Sequence, residues 1–164
     1  MAVLGALVLL AAIVALAAVL GLGPFGEDGD STLSKSQFTA KGDQVCKAAH
    51  DQFVDLQKTP PNSAQGAAAL TQNLIEISEN ELSQIRALDA PPAVQPALDR
   101  YMQAREQGIA ELKKGLAAAQ DQNARAYADA QAKIAAGQVQ RLKLARAVGF
   151  SECSRVPVQG ATGQ

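Results

Sequence analysis

The chain has 164 residues and a formal net charge of −1, and 48% of its residues are hydrophobic but only 4% aromatic. Alanine alone supplies about a fifth of the residues, a composition typical of packed helices rather than sheets. The near-zero charge gives no overall basic field, which argues against a nucleic-acid partner.

The first predicted element is a hydrophobic block. Residues 2–25 contain no charged or amide side chain, and a helix of this length, at about 1.5 Å per residue, is about 36 Å long and can span a membrane. We therefore expect an anchor that contacts membrane lipid through residues 2–25. A cleaved signal peptide is the alternative, although the small residues at 15–17 and 21–23 lie inside the block or directly before Pro24. No basic residue precedes the block, which leaves open a true start upstream of Met1.

A flexible linker is predicted over residues 26–35, which are rich in Gly, Asp and Ser. The first Lys of the chain is Lys35, after three acidic residues. The positive-inside rule, which counts mainly Lys and Arg, therefore weakly favours an extracytoplasmic C-terminal body. We expect a single-pass protein of the cell membrane.

Two helices are predicted next. The first runs from about Ser36 to Gln57 and ends before two prolines; its apolar stripe is Phe38, Val45, Ala49, Phe53 and Leu56. The second is expected to start after an N-cap at Ser63 and to stop before Asp89. Its stripe is Leu70, Leu74, Ile77, Ile85 and Leu88, with Glu81 interrupting it.

Two further helices complete the predicted fold. Pro96 suits the start of the third, whose stripe is Leu98, Met102, Arg105, Ile109, Leu112, Leu116 and Ala119. Asp121 or Asn123 is expected to cap the fourth, which ends near Val148 ahead of Gly149; its stripe is Tyr127, Ala130, Ile134, Leu142 and Ala145. Short connections predict an all-α, antiparallel up-down-up-down four-helix bundle over residues 36–155, with a disordered tail at 156–164.

Charge is distributed unevenly along the chain. Residues 27–95 carry five Lys/Arg and ten Asp/Glu, a net charge of −5, and residues 96–150 carry nine and five, a net charge of +4. Such an asymmetry indicates two halves that attract each other, or solvated faces, more readily than a ligand site.

Cys46 and Cys153 are the only cysteines. In an exported domain such a pair is ordinarily a disulfide, and an antiparallel bundle brings the start of its first helix near the end of its last. The alternative is a metal site, because Cys46 and His50 share a helix face, with Cys153 as a possible third ligand and Asp43 nearby. With one His in the chain and no paired Cys-x-x-Cys element, we expect no metal site.

No residues of the chain are predicted to be catalytic or to bind a cofactor. Phosphate-binding glycine motifs, a haem attachment motif and the Glu-x-x-His motif of di-iron bundles are missing from the sequence. The carboxylates of Glu76, Glu79 and Glu81 are expected to lie on a solvated face. The basic residues of the last two helices are expected to provide solubilising charge, or to contact anionic headgroups: Lys113, Lys114, Arg141, Lys143 and Arg146.

Three short stretches suggest a family. They are KGDQVC at 41–46, LDAPP at 88–92 and AVGFSEC at 147–153. Together they resemble the uncharacterised exported helical proteins of actinobacteria, in which an early and a late cysteine bracket a helical body. The resemblance covers residues 36–155 and implies the fold and the cysteine pair, but no activity.

The sequence therefore favours a non-enzymatic interaction or scaffold domain on the outer face of a bacterial cytoplasmic membrane, with an envelope protein as partner. Two alternatives stay open. One is a helical bundle that senses a small ligand or a metal, which needs a cavity lined by convergent polar groups. The other is a secreted protein, released after signal cleavage.

Overall fold

The computed structural model describes residues 32–155, and this part of the chain is helical. Its long helices are α1 (Lys35–Gln57), α2 (Ala64–Arg86), α3 (Gln95–Gln120) and α4 (Ala124–Val148), and a short 3-10 helix follows at Glu152–Ser154. No strand occurs within residues 32–155. The prediction of an all-α body with four helices is confirmed.

Side-chain caps fix where the helices begin. The hydroxyl oxygen of Ser34 accepts a hydrogen bond from the backbone N–H of Gln37, whose side chain accepts one in return from the N–H of Ser34. Ser63 caps α2 and Asn123 caps α4 in a similar way, at 3.1 and 3.0 Å. Each cap satisfies an N–H that the first turn of a helix leaves unpaired. The cap predicted at Ser63 is confirmed, and Asn123 rather than Asp121 caps α4.

Helix ends follow the predicted stop signals closely. Gly149 ends α4 with a φ of 105°, a left-handed conformation that glycine adopts without steric penalty. α3 begins at Gln95, so Pro96 occupies the second helical position instead of the first. α2 ends at Arg86 instead of Leu88, because the backbone tightens there into a turn in which the N–H of Leu88 donates to the carbonyl of Ile85 at 3.1 Å.

Helices α2 and α3 pack in opposite directions. Lys113 of α3 pairs with Glu79 of α2 at 2.7 Å, whereas Glu106, nearer the start of α3, pairs with Arg86 at the end of α2 at 2.6 Å. Between α3 and α4, a methyl group placed on Gly115 would lie in ordinary contact with Ala130, 3.5 Å away. Small residues therefore let these two helices approach closely.

The core draws on all four helices and on the segments that flank them. Its buried apolar members are Phe38, Cys46, Ile75, Leu82, Ile85, Val94, Leu98, Tyr101, Met102, Ile109, Ala145, Val148 and Phe150. The stripe predicted for α2 is correct at Ile85, which is buried, and at Leu88, which packs against the core. Its first part is wrong by one position, because Thr71, Ile75 and Ser78 are buried while Leu70, Leu74 and Ile77 are half-buried. Thr71 tolerates burial because its hydroxyl donates to the carbonyl of Ala67 at 2.7 Å.

Several predicted segments lie outside the described residues. These are the hydrophobic block at 2–25, the linker up to residue 31 and the tail at 156–164. Within residues 32–155, the helices all fall short of the combined length and apolarity that crossing a membrane requires.

Candidate functional site

The two cysteines come together at disulfide distance. Cys46 lies in α1 and Cys153 in the 3-10 helix, with their Cα atoms 5.1 Å apart, a separation typical of a disulfide. One turn before Cys46, the carboxylate of Asp43 accepts hydrogen bonds from the hydroxyl of Ser151 at 2.6 Å and from the backbone N–H of Glu152 at 2.9 Å. The segment after α4 is therefore held to α1 by a covalent bond and by two hydrogen bonds.

Three aromatic rings pack against one another in this region. The ring of Phe150 is buried, 5.5 Å from the ring of Phe38 and 5.8 Å from that of Tyr101, which meets it edge-on. A methyl group on Gly42 would overlap the ring of Phe150, so glycine is required for this approach. We call the region formed by these four residues and the Cys46–Cys153 bond the closed end.

A buried ion pair lies beside the disulfide. Glu81 of α2 is only 6% exposed, and Arg105 of α3 donates to its Oε2 at 2.5 Å. Tyr101 donates to Oε1 at 3.3 Å, and the sulfur of Cys153 lies 3.9 Å from the same oxygen. The predicted solvated position of Glu81 is wrong, because an arginine and a phenol supply the partners that a buried carboxylate needs. The signal in the sequence was that Glu81 and Arg105 each stand within an apolar stripe.

Burial changes the acid–base behaviour of this cluster. It raises the pKa of Glu81 above its ordinary value, an effect that the charge of Arg105 and the hydrogen bond from Tyr101 oppose without cancelling. Burial also raises the pKa of the Tyr101 phenol, and the Glu81 carboxylate adds to that rise. Tyr101 therefore keeps its proton and acts as a hydrogen-bond donor.

A cavity of about 130 Å³ opens next to the ion pair, and we call it the cleft. Its walls come from all four helices and the segment after them: His50, Phe53, Glu81, Tyr101, Arg105, Gln138, Arg141, Leu142, Glu152 and Arg155, with the Cys46–Cys153 disulfide. Three guanidinium groups and two carboxylates are among these side chains. Arg105 pairs with Glu81, and Arg155 pairs with Glu152 at 3.0 Å. The lining therefore contains one more arginine than it has carboxylates to pair with.

Arg141 of α4 is that unmatched arginine. It is half-buried, and its Nη2 donates to the backbone carbonyl of Ile134 at 2.9 Å. It forms no ion pair with a carboxylate of the described part of the chain. Burial, together with the neighbouring charge of Arg105, lowers the pKa of Arg141. The cleft therefore holds a partly desolvated positive charge that faces a second one.

Two glycines make room for this guanidinium. A methyl group on Gly137 would come within 2.7 Å of Nη1 of Arg141, and one on Gly108 would lie 3.5 Å away. The prediction that Arg141 is solubilising charge is wrong, because its side chain lies back against the helices instead of extending into water. Lys143 and Arg146 on the same helix are exposed, as expected. No sequence signal separated Arg141 from these two.

A second cavity of about 160 Å³ shares Phe53, Arg105 and Arg141 with the cleft. Its other walls are mainly apolar: Leu74, Ser78, Gly108, Ile109, Leu112 and Ile134. The Nε of Arg105 is buried and has no hydrogen-bond partner within residues 32–155. This nitrogen is enclosed by protein, and the buried Oε2 of Glu152, a residue of the cleft lining, is likewise without a partner in this part of the chain.

The structure brings part of a metal ligand set together, but the two cysteines are not thiolates. Ligand atoms of Cys46, Glu81 and Cys153 lie within 4.8 Å of one another, and His50 lines the same cleft. Thiolates are the sulfur form that binds zinc, and a disulfide contains none. Asp43 is engaged with the 3-10 helix instead. That the oxidised protein binds no metal stays a prediction.

The other acidic and basic candidates lie on the surface. Glu76 accepts a hydrogen bond from Gln72 at 2.8 Å, and both side chains are exposed. Glu79 pairs with Lys113, and Lys114 pairs with Glu111 at 2.6 Å. The pairs Glu79–Lys113 and Glu81–Arg105 join the acidic half of the chain to the basic half, whereas Arg86–Glu106 joins the two halves with the opposite polarity.

Comparison of the chain with models of protein families, with curated proteins and with solved structures gives no match. The resemblance to actinobacterial exported proteins therefore stays a prediction. The function has to be argued from the cleft.

Proposed function

We propose that this protein is a non-enzymatic binding domain on the outer face of a bacterial cytoplasmic membrane, and that it takes a small anion in the cleft. The observation that carries the proposal is the half-buried guanidinium of Arg141, which has no carboxylate partner within residues 32–155. Of the functions that the sequence leaves open, small-ligand binding accounts best for this charge.

The electrostatic argument is direct. A charge removed from water without a counter-ion costs free energy, and a second guanidinium nearby increases that cost. An anion in the cleft would offset both effects. It would also accept a charge-assisted hydrogen bond from Arg141.

The location is proposed on separate grounds. The apolar block at 2–25 is long enough to cross a membrane as one helix. It would anchor an up-down-up-down bundle of the kind predicted from the resemblance to exported proteins. A cysteine pair at disulfide distance is in keeping with an oxidising compartment outside the cytoplasm. Cell fractionation with sequencing of the mature N-terminus tests the anchor, because a soluble product that begins near Pro24 would contradict it.

Anion binding is tested on the full chain in detergent. Acetate, benzoate and inorganic phosphate are titrated at constant ionic strength, with chloride as the reference, and the shift of the melting temperature is measured. A bound ligand at 100 times its Kd stabilises the folded state by about 2.7 kcal/mol. We expect at least one of these anions to bind.

Two matched variants locate the site. Arg141→Gln removes the unmatched charge, whereas Arg146→Gln removes an exposed charge from the same helix. We expect Arg141→Gln to weaken the anion about tenfold or more, the equivalent of about 1.5 kcal/mol or more, and Arg146→Gln to leave it unchanged. If no anion shifts the wild-type melting temperature, the proposal is wrong and an envelope protein partner becomes the leading hypothesis.

A further inference from the structure

The second cavity indicates what kind of anion fits. Phe53, Arg105 and Arg141 form a wall common to both cavities. Beyond them, the side chains of Leu74 and Ile134 help to make the second cavity apolar. The two arginines are the only charged residues among its described walls. They therefore stand at the boundary between a charged compartment and an apolar one.

We infer that the ligand is an apolar monocarboxylate whose carboxylate binds at Arg141 while its hydrocarbon body fills the second cavity. This inference rests on the proposed function and narrows it to one chemical class. An apolar cavity of about 150 Å³ binds benzene, so a body of about six to eight carbon atoms, aromatic or branched, fits the available 160 Å³. Burial of that body supplies affinity that a bare anion lacks.

A single negative charge matches the cleft better than a double one. One arginine, Arg141, is unmatched, so one carboxylate restores the balance. Phosphate has a second pKa near neutrality and would bring additional negative charge next to Glu81 and Glu152. A carboxylate also accepts a charge-assisted hydrogen bond from the guanidinium of Arg141.

The probe is benzoate, compared on the full chain in detergent with acetate, inorganic phosphate and benzyl alcohol. Acetate keeps the carboxylate without the body, and benzyl alcohol keeps the ring without the charge. We expect benzoate to bind at least about tenfold more tightly than acetate and phosphate, since one and a half to two buried methylene equivalents already give that factor. We expect a similar factor over benzyl alcohol, because only the carboxylate forms a charge-assisted hydrogen bond with Arg141.

Two variants reduce the second cavity from different helices. Leu74→Phe enlarges a half-buried wall residue of α2, and Leu112→Phe enlarges one of α3. Both should weaken benzoate at least about fivefold and leave acetate within about twofold. Leu116→Phe, at a half-buried position of α3 outside both cavities, is the matched control. A melting curve of each variant shows that it is folded.

The outcomes separate this inference from the proposed function. Acetate or phosphate binding as tightly as benzoate would overturn the apolar ligand and leave the anion site standing. Benzyl alcohol binding as tightly as benzoate would remove the role of Arg141 and contradict both. Benzoate affinity unchanged in both Leu74→Phe and Leu112→Phe, while Arg141→Gln abolishes it, would place the ring outside the second cavity.

Discussion

The closed end and the cleft differ in how α1 packs against α4 and the residues that follow it. At the closed end, the Cys46–Cys153 bond and the buried ring of Phe150 hold α1 tightly. Two turns further along α1, Phe53 is only half-buried, and the facing Arg141 has no carboxylate partner within residues 32–155. Apolar packing and covalent linkage dominate one region, and incompletely neutralised charge dominates the other.

This difference shows how the fold can tolerate a costly site. An unmatched guanidinium in a partly desolvated cavity lowers the stability of the folded state. The disulfide and the aromatic packing at the closed end raise it, and they fix the register of α1 beside the cleft. The closed end therefore contributes stability, and the neighbouring cleft contributes binding. The same separation occurs in other proteins whose functional sites carry strain or charge.

Breaking the disulfide is expected to have the largest effect. Cys46→Ser opens a covalent loop whose ends are 107 residues apart, and the chain-entropy model assigns such a loop up to about 4.7 kcal/mol. Urea unfolding of the full chain, followed by circular dichroism, should show a much lower midpoint with helix retained. An unchanged midpoint would contradict the bond, as would two alkylatable thiols in protein taken directly from the envelope.

Overpacking the closed end comes next. Gly42→Ala forces a methyl group into the ring of Phe150, and such insertions cost about 1–3 kcal/mol. The matched control is Gly115→Ala, where the added methyl meets Ala130 at an ordinary 3.5 Å. The control should be neutral or slightly stabilising in thermal unfolding, because alanine favours helix. Equal stability of the two variants would show that Phe150 does not pack against α1 as described.

The Glu81–Arg105 pair predicts a pH dependence. Because the pKa of Glu81 is raised by burial, the folded state holds more protons than the unfolded chain as pH rises above about 4.5. Its contribution to stability is fully present below that pH and is lost as pH rises through the folded pKa. The melting temperature of wild type relative to Glu81→Gln should therefore fall with rising pH, and the subtraction cancels the titrations that the two proteins share. If the melting temperature of wild type relative to Glu81→Gln rises with pH instead, the charge of Arg105 affects the pKa of Glu81 more than burial does.

The smallest effect is expected from a substitution that displaces the Arg141 side chain and keeps its charge. Gly137→Ala places a methyl group 2.7 Å from Nη1, at the flexible end of the side chain, which can shift at little cost. We expect stability close to that of wild type and benzoate affinity about threefold to tenfold weaker, or about 0.7 to 1.4 kcal/mol. Titration of Gly137→Ala beside Gly115→Ala makes the comparison, and equal affinity in the two would show that the position of Arg141 is unimportant.

The sequence predicted most of the fold because each helix signal is local. Ser63, Asn123 and Gly149 sit at helix ends for reasons that involve only a few neighbouring residues. The cysteine pairing followed from the order of the helices and the even number of thiols. The stripe of α2 was misplaced because periodicity alone does not show that Thr71 satisfies its own hydroxyl within the helix.

The cleft was predicted poorly because its properties come from contacts between helices. Glu81 and Arg105 could have been paired, since opposite charges in the apolar stripes of adjacent antiparallel helices indicate a buried ion pair. Arg141 could not, because its burial depends on Gly108 of another helix and on the shape of both cavities. The sequence treats it like its exposed neighbour Arg146.

Unfolding of Arg141→Gln with and without benzoate tests the central claim most directly. On the proposed function, Arg141 serves binding and lowers the stability of the folded state. Its removal should therefore leave the ligand-free protein as stable as wild type, or more stable by up to about 1 kcal/mol. It should also abolish stabilisation by benzoate. Arg146→Gln should change stability by no more than about 0.5 kcal/mol and keep the benzoate effect. An Arg141→Gln protein less stable by about 2 kcal/mol or more, and still stabilised by benzoate, would show that Arg141 is a structural residue and that the cleft is not an anion site.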